Sequence, residues 1–187
     1  MSARFRLQPT DIAGVTRIER FPIGDERGSL ERLFCARELE AVIQGKPIVQ
    51  INRTVTRHRG TVRGLHFQHP PHAETKLIAC LRGEVFDVTV DLRADSPTFL
   101  RWHAERLSAD NRNTLVIPDG CAHGFQALTD DCELLYLHTA DYSAAAEAGV
   151  HPGDPALAIS WPLPLAGLSP RDAAHPLIDA HFRGLRL

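Results

Sequence analysis

The chain has 187 residues, a formal net charge of -2 and a sequence pI near 6.5. That length sustains a single domain over residues 1–187 with a real core, and the balanced charge provides no global positive field for nucleic acid or a membrane surface, so an anionic ligand must be gripped locally. The four cysteines, Cys35, Cys80, Cys121 and Cys132, are widely spaced without a C-x-x-C pair. They read as reduced thiols of a cytoplasmic protein, not as disulfides or a zinc site. Residues 1–10 lack the apolar core of a signal peptide and no long uninterrupted apolar run follows, so neither export nor membrane insertion is expected.

In chain order, the Glu, Leu and Ala content of 36–43 predicts a short helix. Strands are predicted at 48–56, 75–81, 84–91, 99–107, 113–117, 125–128 and 132–139, and a C-terminal helical turn opens at 169–172. The clearest strand is 84–91, where Phe86, Val88 and Val90 alternate with Asp87, Thr89 and Asp91. Thirteen glycines and thirteen prolines punctuate these short runs, which is the pattern of an all-β sandwich or barrel.

Ionisable residues interrupt the strand pattern at three places. Arg63-Gly-Leu-His66-Phe-Gln68 and Lys76 lie in apolar surroundings, and Pro118-x-Gly-x-x-His123 follows a turn in the manner of the second motif of cupin barrels. A cupin metal centre needs three or four converging ligands, and Gln68 stands where a second histidine of the first motif belongs, so no metal is expected. The same residues suit acid–base chemistry, with His66 as a base if a carboxylate orients it. Lys76 is either paired with an anion or snorkels to water. Leu134, Tyr136 and His138 share one strand face, so Tyr136 either packs or faces the lumen. Arg27, Arg63 and Arg171 carry forks suited to phosphate. Strict alternation puts Arg63 and His66 on opposite faces, and both reach one pocket only if Gly64 allows a bulge. His58, His69 and His72 sit among prolines and charges and read as exposed loop residues.

Taken in order, Asp25-x-Arg27-Gly28, Gln50-x-Asn52, Arg63-Gly-Leu-His66-x-Gln68, Lys76-Leu, Asp87-Val-x-Val-Asp91-Leu-Arg93, Ile117-Pro-x-Gly-x-Ala-His123-Gly-Phe, Glu133-x-x-Tyr136, Tyr142, Asp154-Pro, Trp161-Pro and Ser169-x-x-Asp172 resemble the dTDP-4-dehydrorhamnose 3,5-epimerase family nearly end to end. The resemblance implies a cupin-type (jelly-roll) barrel with a few short helices that epimerises C3, C5 or both in a nucleotide-linked 4-keto-6-deoxyhexose, without metal or redox cofactor. It implies His66 as base oriented by Asp172, Tyr136 as acid from the opposite side, and Lys76 on the enolate oxygen. Arg63, Arg171, Gln50 and Asn52 would hold the diphosphate, and His123 and Tyr142 would line the substrate site. Arg27 would come from the neighbouring subunit of a homodimer that exchanges N-terminal strands. Leu30 and Arg32 stand where the family usually has Phe and Glu near the nucleoside, which leaves dTDP and CDP both open. The rival readings are a sugar-nucleotide 3,4-ketoisomerase of the same barrel family, a metal-dependent cupin oxygenase and a non-catalytic sugar-nucleotide-binding cupin.

Overall fold

The computed structural model describes residues 4–187. Two antiparallel sheets face each other. The first has six strands in the order β1 (Phe5–Pro9), β2 (Thr16–Arg20), β10 (Asn113–Ile117), β7 (Lys76–Arg82), β12 (Cys132–His138) and β5 (Gln50–Thr56). The second has five, in the order β13 (Glu147–Gly149), β6 (Val62–Gln68), β11 (Cys121–Ala127), β8 (Glu84–Asp91) and β9 (Trp102–Ser108). A separate hairpin of β3 (Ile23–Asp25) and β4 (Gly28–Leu30) is exposed at every residue. This is the all-β, cupin-like barrel that the strand pattern and the resemblance predict.

Three apolar clusters hold the layers together. The first fills the space between the sheets, with Ile78, Leu115, Phe125 and Leu134 among its members. The second lies between Val88 and Val90 and the C-terminal segment, through Val150, Leu157 and Leu185. The third packs α1 (Ala36–Ile43) onto the six-stranded sheet through Leu39 and Ile43, one helical turn apart, against Ile18, Leu77, Val116 and Leu137. The alternation in β8 therefore separates two buried faces rather than an inside from an outside. Val88 and Val90 pack under the C-terminal segment, and Asp87, Thr89 and Asp91 are buried on the other face with Val85.

Beyond the predicted elements the structure adds β6 (Val62–Gln68), β1–β4 and β13, and it shifts the starts of β11 and β9. β1–β4 and β13 carry no strong period: β1 is a polar edge strand that ends in Pro9, and β13 has three residues. β11 begins at Cys121 instead of 125, because pairing with β6 and β8 on both sides overrides the weak β propensity of Cys-Ala-His-Gly. β9 starts at Trp102, three residues after the expected boundary, since Leu100 turns the chain with φ 60°. No helix among the described residues is long and apolar enough to cross a membrane.

Candidate active site

Between the sheets lies a cavity of about 900 Å3. His66 enters it from β6. Its Nε2 lies 2.8 Å from Asp172 Oδ1, and the other carboxylate oxygen accepts the Gly64 N–H at 3.3 Å. Asp172 is delivered by α2 (Pro170–Ala173), a single turn started by Ser169, whose Oγ accepts the Asp172 N–H at 3.0 Å, with Pro170 in the first turn. Burial raises the cost of the Asp172 charge, but the hydrogen bonds from His66, Gly64 and Ser169 hold its carboxyl below the usual range. Burial also lowers the His66 imidazole below its ordinary value, against the opposing pull of Asp172. The ring is thus neutral near pH 7. The pairing assigns its proton to Nε2 and leaves the Nδ1 lone pair free to accept a proton. Arg171 Nη2 approaches the same Nε2 to 3.4 Å, an electrostatic contact, since that nitrogen already donates to Asp172.

Gly64 resolves the conflict between Arg63 and His66. It adopts φ 125°, and the pairing of β6 with β11 slips between His123 and Phe125. This bulge turns both residues toward one pocket, where both are lining residues. Arg63 Nε donates to Thr56 Oγ1 at 3.0 Å.

Tyr136 reaches the pocket from β12 on the opposite sheet, with its phenol pushed far above the ordinary tyrosine value by burial and by the Asp87 charge. It therefore keeps its proton. His123 sits edge-on to Tyr136, with ring centroids 5.8 Å apart, and its Nε2 lies 2.9 Å from Asp87 Oδ2. Burial moves the Asp87 carboxyl upward, opposed by His123. Lys76 is 7% exposed and is no snorkelling side chain: its Nζ lies 3.3 Å from Glu74 Oε1 and 3.4 Å from the His66 carbonyl oxygen.

At the mouth, Arg171 Nη1 contacts Glu147 Oε2 at 2.7 Å, and Tyr142 Oη donates to the same oxygen at 2.9 Å. Asn52 lines the cavity. Gln50 does not, and instead anchors the rim by accepting the Tyr142 N–H at 3.0 Å. Arg27 also lies outside the chain's own cavity, at the tip of the β3–β4 hairpin, where it pairs with Asp25 at 2.6 Å. Arg32 pairs with Glu38, and Leu30 is 74% exposed on the hairpin. His58, His69 and His72 are exposed.

The cupin metal pattern is not assembled around His123, because Gln68 is spent on the carbonyls of His72 and Asp141 and on the Ser143 N–H. Metal-ligating atoms converge instead at His66, Asp172 and His175, within 4.8 Å of one another. His175 was not singled out in the sequence, nor were Glu74 and Glu147 as pocket residues. Glu74, a lone acid in a polar loop, and Glu147, on a three-residue strand, carry no sequence signal. His138 had one, the shared face with Tyr136, and its ring stacks on Tyr136 at 5.9 Å.

Residues 9–180 match the family model described as dTDP-4-dehydrorhamnose 3,5-epimerase. The chain is 40% identical over 182 residues to a dTDP-4-dehydrorhamnose 3,5-epimerase of Streptomyces griseus, covering 96% of this chain and 90% of that one. It is 43% identical over 182 residues to a dTDP-4-dehydrorhamnose 3-epimerase of Streptomyces niveus, covering 96% and 87%. Its structure superimposes with a TM-score of 0.90 and 38% identity on a dTDP-6-deoxy-D-glucose-3,5-epimerase from Legionella pneumophila solved with dTDP-4-keto-L-rhamnose, covering 98% and 99% of the two chains. With a family model matched over most of its length and relatives at this identity across nearly the whole chain, the protein belongs to the dTDP-4-dehydrorhamnose 3,5-epimerase family.

Proposed function

We propose that this protein is an isomerase that inverts C3, C5 or both in a nucleotide-linked 4-keto-6-deoxyhexose, serving deoxysugar or polysaccharide biosynthesis. The observation that carries the reading is the His66–Asp172 pair facing protonated Tyr136 across one cavity, with Lys76 beside them. The C4 ketone acidifies the hydrogens on C3 and C5. His66 Nδ1 takes one as a proton, the electron pair moves onto the C4 oxygen, and Lys76 stabilises the resulting enolate. Tyr136 then returns a proton to the opposite face of the same carbon, and solvent exchange resets both groups. The residues supply both proton transfers without help from a metal or redox cofactor.

Arg63, Arg171 and Asn52 hold the diphosphate, Gln50 fixes the rim, His123 lines the sugar pocket and Tyr142, 55% exposed, offers its ring to the base. A cavity of about 900 Å3 suits a ligand of this size. Arg27 belongs to the site of a second copy in a homodimer that exchanges the N-terminal hairpin, a reading supported by the exposure of every hairpin residue. A cytoplasmic setting is part of the proposal and agrees with four free thiols, of which Cys80 and Cys121 are pushed up to about 12 by burial. Relatives include both a 3,5-epimerase and a 3-epimerase, so the number of centres inverted is read from the product.

The test is NMR-detected deuterium incorporation in D2O with dTDP-4-keto-6-deoxyglucose and, in parallel, its CDP counterpart. Label at C3, C5 or both supports the reading and shows which nucleotide is preferred. Binding without label at either carbon overturns it in favour of ketoisomerisation or simple binding.

A further inference from the structure

A second hydrogen-bonded chain runs along the cavity wall. The Glu74 side chain is 9% exposed, and its two oxygens face different partners: Oε1 lies 3.3 Å from Lys76 Nζ and Oε2 lies 2.7 Å from His138 Nδ1. His138 Nε2 in turn lies 3.3 Å from Asn52 Nδ2. An amide nitrogen only donates, so Nε2 is the acceptor and the imidazole proton sits on Nδ1, where it is given to Glu74. Every donor in the chain therefore points, directly or through His138, toward the Glu74 carboxylate. Burial works against that charge, but the His138 hydrogen bond and the Lys76 ammonium keep the carboxyl below its usual range.

An ammonium buried as deeply as Lys76 needs a counter-ion, and Glu74 is the carboxylate in contact with it. Of its three N–H groups, one faces Glu74 and one faces the His66 carbonyl, which leaves the third for a ligand in the cavity. The backing groups also limit where it can point. His138 is pinned between Glu74 and Asn52, and its ring stacks on Tyr136 with an interplanar angle of 9°.

We infer that Glu74 is a positioning residue for the epimerisation: it fixes Lys76 so that one N–H is aimed at the C4 oxygen, and His138 locks Glu74 in the rotamer that does so. The inference rests on the epimerase reading. The Lys76 and Glu74 charges offset each other, so the pair adds little general attraction for a diphosphate. Its effect falls on the enolate and hence on kcat rather than KM.

The experiment measures kcat, KM and deuterium wash-in for wild type, Glu74→Gln, Lys76→Met and the double variant, with His138→Leu and His138→Asn alongside. Glu74→Gln is isosteric and is expected to lower kcat roughly tenfold or more while KM stays within about twofold. On top of Lys76→Met it should cost nothing further, because Glu74 acts only through that lysine. His138→Leu should resemble Glu74→Gln, and His138→Asn, which restores a donor near the Nδ1 position, should recover most of the rate. Additive losses in the double variant, or a Glu74→Gln kcat within about twofold of wild type, would overturn the inference while leaving the epimerase reading intact. A wild-type protein that binds substrate without wash-in removes both.

Discussion

His66 and Tyr136 enter one cavity from opposite sheets, His66 from β6 of the five-stranded sheet and Tyr136 from β12 of the six-stranded sheet. Inversion at carbon requires proton removal on one face and delivery on the other, and two facing sheets provide this without any movement of the backbone. The two residues should therefore fail differently. His66→Ala is expected to abolish deuterium wash-in, with kcat falling about a hundredfold or more, while nucleotide binding is largely kept. Tyr136→Phe is expected to retain wash-in at the proton His66 abstracts yet to lose inversion, which product NMR distinguishes directly. If His66→Ala turns over at near-normal rate, the base is another residue.

The pH dependence follows from the state of the His66 imidazole. A base acts only when unprotonated, and burial lowers its titration in the folded protein, so the acid limb of kcat/KM should fall below about pH 6.5, the ordinary histidine value. Asp172 pulls in the other direction by favouring the imidazolium. Asp172→Asn should accordingly move that limb to still lower pH while reducing kcat about a hundredfold to ten-thousandfold, because the correct tautomer is no longer enforced. A kcat/KM profile flat across the acid range, or a limb that moves upward in Asp172→Asn, would contradict the assignment.

The arginines should separate from the proton-transfer residues in a kinetic split. Arg63 and Arg171 are more than a Lys-like point charge to a diphosphate, since each presents a planar fork at the cavity. Arg63→Ala or Arg171→Ala is expected to raise KM roughly tenfold to a hundredfold, the equivalent of ~1.5–3 kcal/mol for a charge-assisted hydrogen bond, with a smaller change in kcat. Titration with the nucleoside diphosphate alone should show the same loss. A pure kcat effect would place these residues elsewhere in the mechanism.

A stability prediction concerns Asp91, at the end of β8. Its carboxylate is fully buried and accepts from Arg93 Nε and Nη2 at 2.8 Å each, from Ser96 Oγ at 2.5 Å and from Thr98 Oγ1 at 2.6 Å, while Arg93 ties the group to the Ala13 carbonyl at 2.6 Å. Asp91→Ala leaves those donors unpaired and should cost about 3–5 kcal/mol in urea unfolding. Burial opposes the charge, but these bonds hold the carboxyl below its ordinary value. The folded protein thus binds fewer protons here than the unfolded chain. The Asp91 contribution is fully present above about pH 4 and is lost as pH falls through the depressed folded value.

Much of this architecture was legible in the sequence because β8 expresses its own period of two, β12 shares one face through Leu134, Tyr136 and His138, and α1 carries helix-forming Glu, Leu and Ala. Asn113–Ile117 and Ala36–Ile43 stand where they were predicted. The candidate catalytic groups were legible for a related reason, as charged residues inside apolar runs whose presence needs an explanation. What stayed hidden depends on pairing across the chain. The alternation in 84–91 puts Asp87 on the carboxylate-bearing face without saying what that face meets, and only the pairing of β8 with β11 shows its carboxylate buried against His123. Glu74 is one acid in a loop until β7 and β12 bring Lys76 and His138 to it, and β11 becomes a strand through neighbours on both sides.

Gly64 is where the fold and the site meet, and its replacement separates two kinds of strain. A Cβ at Gly64 would lie 2.5 Å from Gly124 Cα and 2.8 Å from the His123 carbonyl oxygen, on a backbone already at φ +125°. The obstructing atoms are main chain of the neighbouring strand, so they cannot swing aside. At Gly60, with φ +87°, the same atom meets only Ala166 Cβ at 4.0 Å. Gly60→Ala should therefore cost only the conformational term, about 1–2 kcal/mol, whereas Gly64→Ala adds overpacking and should cost roughly 2–5 kcal/mol. Because the bulge is what points Arg63 and His66 into one cavity, Gly64→Ala should also lose activity beyond its loss of folded protein, while Gly60→Ala should not. Urea midpoints and kcat per folded molecule test both halves. Equal costs at the two glycines, or a fully active Gly64→Ala, would mean that β6 reaches the site without needing this bend.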